Sequence, residues 1–292
     1  MQVSPQQRQP IRKVHFTSPL RATSAAKSKA MSAASSNARR STAFSSAATA
    51  GPRRFEGPIQ QETEAGVVRM LNEQVSLDKS VEMAKNETVT RPDFNTHDAF
   101  RIFDIDNIGS VTALDIQHGL QDIGVHLTTD DVNLFMQRFD KDGDGRLDYR
   151  EFAAALTPED PYYAQMLARR PSSHRRINVY RKDDVFAYST GQSFKDLMRT
   201  LIGTEGQSEA TRQQLSRNPY FDASEAFRAM DYNGDGVVSK DEIRYMMESK
   251  GHYISDHEAG NIARKMDFNR DGVVSHGEFV QSVRPRSPNR RV

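Results

Sequence analysis

The sequence predicts an all-α protein with two lobes, each built from a pair of helix–loop–helix units whose loops share a short β-bridge. The first observation is a set of twelve-residue acidic loops, which begin at Asp140, Asp231 and Asp267, with a degenerate copy at Asp104. The second is their spacing, because the loops within each pair begin 36 residues apart (140 − 104 and 267 − 231). The third is the presence of large apolar residues at helical spacing around every loop. A long, partly helical linker joins the lobes, and a basic tail, disordered or ordered by a partner, precedes them.

The loop at residues 140–151 reads DKDGDGRLDYRE and places oxygen ligands around one point. The candidate ligands are the side chains of Asp140, Asp142, Asp144, Asp148 and Glu151 and the backbone carbonyl of Arg146. Gly145 allows the sharp turn that the sixth position requires. A hard cation takes six to eight oxygens at roughly 2.3–2.6 Å, and a bidentate Glu favours Ca²⁺ over the smaller Mg²⁺. An acidic surface turn is the alternative, but the pattern is that of the calcium loop of an EF-hand.

Two further loops repeat this pattern in the second half of the chain. In residues 231–242 the candidate ligands are Asp231, Asn233, Asp235, the Val237 carbonyl, Ser239 and Glu242. In residues 267–278 they are Asp267, Asn269, Asp271, the Val273 carbonyl, Ser275 and Glu278. Ser239, at the ninth position, is expected to act through water.

The loop at residues 104–115 is expected to stay empty. Asp104, Asp106 and Thr112 fit the pattern, but Ile108 stands at the fifth position, where an oxygen is needed. Asp115 replaces Glu at the twelfth position and is one methylene shorter. The sequence therefore predicts three Ca²⁺ ions per chain and one structural loop that binds none.

These loops and their flanks resemble the calmodulin superfamily. Each loop has an aliphatic residue at its eighth position and a large apolar residue just after the twelfth, as with Leu147 and Phe152. The resemblance covers roughly residues 92–157 and 218–283, and it implies paired EF-hands with the short β-bridge described above.

The remaining segments complete the predicted organisation. Residues 62–88 are predicted to form a helix with an apolar stripe of Val67, Leu71 and Val75, which packs onto the first lobe or binds a partner. The first EF-hand pair occupies residues 89–157 and the second residues 218–283. A structured basic linker (158–217) lies between them, and a short basic tail (284–292) follows.

Charge is distributed unevenly along the chain. The net charge is +1, yet residues 1–57 carry ten Lys or Arg and one acid, which gives +9. With its Ser, Ala and Pro content, the predicted tail (residues 1–61) cannot bury enough apolar surface to fold alone. It is interpreted as a solvated tail, a mitochondrial transit peptide or an anchor for an acidic surface.

The sequence carries no constellation of catalytic residues, so an enzyme is not expected. There is no Cys, which excludes disulfides and thiolate metal sites, and no apolar run approaches the ~20 residues of a membrane span. Two non-enzymatic classes remain. A soluble calcium sensor would offer an apolar groove to a target helix through its second lobe, where Met230, Met246, Met247 and Met266 suit such a groove. A constitutive component of an assembly would use the EF-hands as a scaffold.

The second class is favoured by the empty loop, the long linker and the basic tails. The segments RPDFNTHDAFRIFD, LFMQRFDKDGDGRLDYREF and RQQLSRNPYFDASEAFRAMD also resemble the EF-hand proteins of ciliary and flagellar doublet microtubules. That resemblance implies a calcium-responsive structural protein of the axoneme, with tubulin or axonemal proteins as partners of the basic tails and linker. Nucleic acid is an unlikely partner because the tail has few aromatics for base stacking. The expected location is cytoplasmic or cytoskeletal, in a cilium or flagellum, with the mitochondrion as the alternative.

Overall fold

The computed structural model describes residues 58–173 and 185–287, with side chains from residue 61 onward. In chain order the elements are α1 (Pro58–Thr90), α2 (Thr96–Arg101), β1 (Ser110–Thr112), α3 (Ala113–Asp122), α4 (Thr129–Phe139), β2 (Arg146–Asp148), α5 (Tyr149–Leu156), α6 (Pro161–Ala168), α7 (Tyr188–Arg217), α8 (Ala223–Met230), β3 (Val237–Val238), α9 (Lys240–Ser249), α10 (Asp256–Met266), β4 (Val274–Ser275) and α11 (His276–Val283). The all-α prediction with two paired lobes is confirmed. None of the helices described here has the length and apolar character needed to cross a bilayer.

The loops of each lobe are joined by the short antiparallel bridge that the sequence predicts. In the first lobe Val111 faces Leu147 across the β1–β2 pair, and in the second Val238 faces Val274 across β3–β4. All four side chains are fully buried. The aliphatic residue at the eighth position of each loop therefore fixes the two loops of a lobe to each other.

Helix α1 extends over both lobes, which differs from the expectation that it packs onto the first. Its stripe of Val67, Leu71 and Val75 lies in the apolar core of the second lobe. Its C-terminal part belongs to the first lobe, where Val89 lies in the core and Val81 and Ala84 pack against it. A helix of 33 residues is about 50 Å long at 1.5 Å per residue, long enough to reach both cores. It also begins at Pro58, so the predicted boundary at residue 62 falls inside the helix.

Helix α7 also contributes side chains to the cores of both lobes. Its first half contributes Phe194, Leu197, Leu201 and other buried residues to the core of the first lobe, and Leu215 near its end joins the core of the second. The predicted linker thus contains a 30-residue helix that is part of both lobe cores. Residues 174–184 of that linker lie outside the described residues, as do the N-terminal tail up to residue 57 and residues 288–292 of the C-terminal tail.

The described start of the C-terminal tail is bound to α7. The carboxylate of Glu209, which is fully buried, accepts hydrogen bonds from the amides of Arg286 and Ser287 at 3.0 Å and from Arg212 Nε at 3.0 Å. Burial raises the pKa of Glu209, but the hydrogen bonds from Ser287, Arg286 and Arg212 outweigh it and hold the pKa below its usual value. Residues 284–287 therefore close over α7, although the sequence suggests only a charged tail.

We expect Glu209→Gln to lower the free energy of unfolding by about 2 kcal/mol at neutral pH, because charged hydrogen bonds to two amides and Arg212 are lost. Since the pKa of Glu209 is depressed in the folded state, its contribution is present above the unfolded pKa of ~4.3 and is lost as pH falls through the folded value. Urea denaturation of both proteins at several pH values should show the difference shrink below about pH 4. Glu87→Gln, on the exposed face of α1, is the matched control, and an equal loss in that variant would contradict the assignment.

Candidate metal centres

Each of the four loops turns its backbone through two left-handed positions, the fourth and the sixth. In the loop 140–151 these are Gly143 and Gly145, with φ of 76° and 78°. The corresponding pairs in the other loops are Asn107 and Gly109, Gly234 and Gly236, and Arg270 and Gly272. The turns aim successive backbone amides at the first residue of each loop, so the loops wrap around one point as the spacing predicts.

The aspartate at the first position receives these amides. Asp140 Oδ1 accepts from the amide of Gly143 at 2.7 Å, and Oδ2 accepts from that of Gly145 at 2.9 Å. Asp231 and Asp267 make the same pair of contacts in their loops. The loop backbone is thereby held in its turn by the residue that is also the first candidate ligand.

The glutamate at the twelfth position has a second role that the ligand pattern does not reveal. Glu242 Oε1 accepts from the amide of Tyr232 at 3.1 Å, and Oε2 accepts from the amide of Ser239 at 2.9 Å, which is the capping box of α9. Glu151 and Glu278 make the equivalent contacts at the starts of α5 and α11. The signal was present in the sequence, because a Ser or Asp followed three residues later by Glu marks a helix start. The glutamate thus connects the beginning of the loop to the second helix of its unit.

Negative charge is concentrated in the loop 140–151. One carboxylate oxygen each from Asp140, Asp142 and Asp144 lie within 4.8 Å of one another. The hydrogen bond from the Asp144 amide lowers the pKa of Asp142, but desolvation and the charges of Asp144 and Glu151 outweigh it, so the pKa of Asp142 is raised. Converging carboxylates of this kind relieve their repulsion by binding a divalent cation, so the donor set fits Ca²⁺.

The loop 104–115 keeps the backbone turn of the other loops but differs from them at the fifth and twelfth positions, as the sequence predicts. Asp104 accepts from the amides of Ile108 and Gly109 at 2.8 and 3.0 Å, so the turn is intact. The Ile108 side chain is 66% exposed and brings no oxygen to the fifth position. Among the described residues the Asp115 carboxylate accepts only from the amide and the hydroxyl of Thr112, whereas Glu151 reaches back to the amide of Lys141 at 2.8 Å. These contacts support the prediction that this loop stays empty.

The methionines of the predicted groove are buried. Relative exposure is 1% for Met230, 5% for Met246, 0% for Met247 and 7% for Met266. They pack with α1, whose Val67, Val68 and Leu71 lie in the same cluster. The apolar face that a calcium sensor offers to a target is covered here by a helix of the same chain.

Comparison with known proteins agrees with this geometry. The protein-family model for an EF-hand domain pair matches residues 93–157 and 221–284. The chain is 25% identical over 155 residues to the probable calcium-binding protein CML13 of Oryza sativa subsp. japonica, a match that covers 53% of this chain and 81% of the relative. It is 40% identical over 57 residues to the probable calcium-binding protein CML17 of Arabidopsis thaliana, covering 20% of this chain and 34% of the relative.

Longer relatives match only in part. The chain is 26% identical over 183 residues to calcium-dependent protein kinase 10 of Arabidopsis thaliana, which covers 63% of this chain and 28% of the kinase. The match runs through the EF-hand regions of the kinase. The two loop pairs are therefore EF-hand domain pairs, and the resemblance to the calmodulin superfamily is confirmed for these two segments.

Proposed function

We propose that the protein is a calmodulin-like calcium sensor that binds three Ca²⁺ ions, at residues 140–151, 231–242 and 267–278. The observation that carries the proposal is the shared geometry of these loops, in which the first aspartate accepts from amides of the turn and the glutamate at the twelfth position closes the loop. The relatives named as calcium-binding proteins support the same function. These relatives fit a calcium sensor better than a constitutive structural component.

The position of the closing glutamate suggests how calcium binding changes the protein. Glu242 and Glu278 lie at the starts of α9 and α11 and contact the beginnings of their loops through backbone amides. A bound ion supplies positive charge that both oxygens of such a glutamate can coordinate. Glu242 and Glu278 would hold the ion in place of the loop amides, and a shift of either carboxylate would move the second helix of its unit.

The chain also supplies the helices on which such a movement acts. Helix α1 covers the apolar face of the second lobe and the first half of α7 covers that of the first lobe. A conformational change in either lobe alters its packing against these helices. The helices then transmit the change to the other lobe. We propose that calcium binding changes how the lobes pack against α1 and α7.

A finer hypothesis places the protein on axonemal doublet microtubules as a structural component. Its support is the resemblance of the three quoted segments and the charge of +9 over residues 1–57. The relatives named above are calcium-binding proteins and a kinase, so the sensor function has the broader support. Co-sedimentation of the full chain with microtubules, lost in a chain that begins at Gln61, would favour the structural role.

We expect calorimetric titration to give three Ca²⁺ ions per chain, and four in the double variant Ile108→Asp with Asp115→Glu. The two substitutions restore an oxygen at the fifth position and a bidentate ligand at the twelfth. Leu114→Asp is the control, because it adds a charge to the same loop at an exposed position that is not a ligand position. Four ions in the unmodified protein, or four in the Leu114→Asp variant, would show that the loop is wrongly interpreted.

A further inference from the structure

Four cationic side chains from different parts of the chain line one cavity at the junction of the two lobes. They are Arg138 on α4, Arg212 on α7, Lys265 on α10 and Arg286 after α11. The cavity measures about 50 Å³. A water molecule needs roughly 10–15 Å³ on this measure, so the space matches about four waters or one tetrahedral oxyanion.

Arg212 has a hydrogen-bond donor with no acceptor in this cavity. The residue is 8% exposed, and its Nε donates to Glu209 Oε2 at 3.0 Å. Its Nη2 is buried and has no hydrogen-bond partner among the described residues. Both oxygens of Glu209 already accept from the amide of Arg286, so this carboxylate cannot turn to satisfy it. A buried guanidinium nitrogen without an acceptor is costly, which indicates that an acceptor binds there.

The charges around the cavity are incompletely paired. Arg286 forms no ion pair with a described residue, and burial together with the positive charges of Arg212 and Arg138 outweighs the negative charges of Glu205 and Glu209, so its pKa is lowered. The carboxylate of Glu205 lies 3.9 Å from Arg138 Nε, at the outer limit of an ion pair. Lys265 is paired with Asp78, yet burial and Arg138 still lower its pKa. Since Glu73, the remaining carboxylate of the lining, is exposed, the interior of the cavity favours an anion.

We infer that this cavity binds one tetrahedral oxyanion, either inorganic phosphate or the phosphate group of a larger molecule. Guanidinium groups match the geometry of phosphate oxygens, and the ammonium group of Lys265 in the lining adds a further charged donor. The site draws Arg138 from the first lobe and Lys265 from the second. A bound oxyanion therefore joins the two lobes at a point that the calcium loops do not occupy.

The test uses the full chain with a calcium chelator, which prevents calcium phosphate from forming. Inorganic phosphate should raise the midpoint of thermal unfolding above that in sodium chloride of equal ionic strength, because a ligand of the folded state stabilises it. Calorimetric titration should show that the wild type binds inorganic phosphate. The Arg286→Gln variant should bind it about tenfold more weakly, since one charged contact is removed. Arg286→Gln is preferred to an Arg212 variant because Arg212 also stabilises Glu209.

Arg199→Gln is the matched control, because Arg199 lies on the exposed side of α7 and pairs with Asp196 away from the cavity. Glycerol 3-phosphate tests the source of the anion: comparable binding assigns the site to a phosphate carried by a larger molecule, and binding of inorganic phosphate alone assigns it to the free ion. Stabilisation no greater than in chloride, or an equal effect of phosphate on the wild type and Arg286→Gln, would overturn the inference and leave a water-filled cavity.

Discussion

Glu242→Gln and Glu278→Gln are each expected to weaken calcium binding by the second lobe about 100-fold, equivalent to about 2.8 kcal/mol. Each substitution removes a negative charge and a bidentate ligand at the same time. The two loops of this lobe are joined by the β3–β4 bridge, so loss of one ion also disturbs the other loop. Calorimetric titration should show weak binding by both loops of the second lobe and unchanged binding by the loop at residues 140–151.

The control for this pair is Glu248→Gln, which removes the same charge from the exposed side of α9. Circular dichroism without calcium should be similar for all variants, because the amide oxygen of Gln can still accept a hydrogen bond from the Ser239 or Ser275 amide. If Glu248→Gln weakened calcium binding as much as Glu242→Gln, the overall negative charge of the lobe, and not coordination by Glu242, would explain the affinity. Wild-type affinity in both ligand variants would contradict the proposed ligand set.

The loops were predictable from the sequence because their chemistry is local. Twelve consecutive residues specify the ligands, the turn and the cap of the next helix, as residues 231–242 show with Gly236, Ser239 and Glu242. The β-bridge was predictable too, since one aliphatic residue at the eighth position of each loop has only its counterpart to pair with.

The arrangement of the long helices was not predictable in the same way. The stripe of Val67, Leu71 and Val75 indicates an amphipathic helix, but both lobes offer a similar apolar face, and nothing local selects one. The same applies to Glu209 and Arg286, which lie 77 residues apart and meet only because α7 reaches the second lobe. Contacts at such separations depend on the complete packing, so the cavity between the lobes left no pattern in the sequence.

Phe194→Ala is expected to lower the free energy of unfolding by about 4 kcal/mol. The Phe194 side chain is 1% exposed, and its ring lies 5.9 Å from that of Phe94 and 5.8 Å from that of Phe186. Truncation therefore leaves a large cavity where α7 enters the core of the first lobe. Urea denaturation followed by circular dichroism measures the loss.

Tyr188→Ala provides the control on the same helix, because that side chain is 83% exposed and its removal should change stability by no more than about 0.5 kcal/mol. If α7 covers the apolar face of the first lobe, Phe194→Ala should also increase the binding of a hydrophobic dye under native conditions, while Tyr188→Ala should not. A loss of less than about 1 kcal/mol with no change in dye binding would mean that the face is closed by other residues. The proposed calcium response requires a large loss of stability and increased dye binding in Phe194→Ala, since a lobe can act on α7 only where the helix is packed against it.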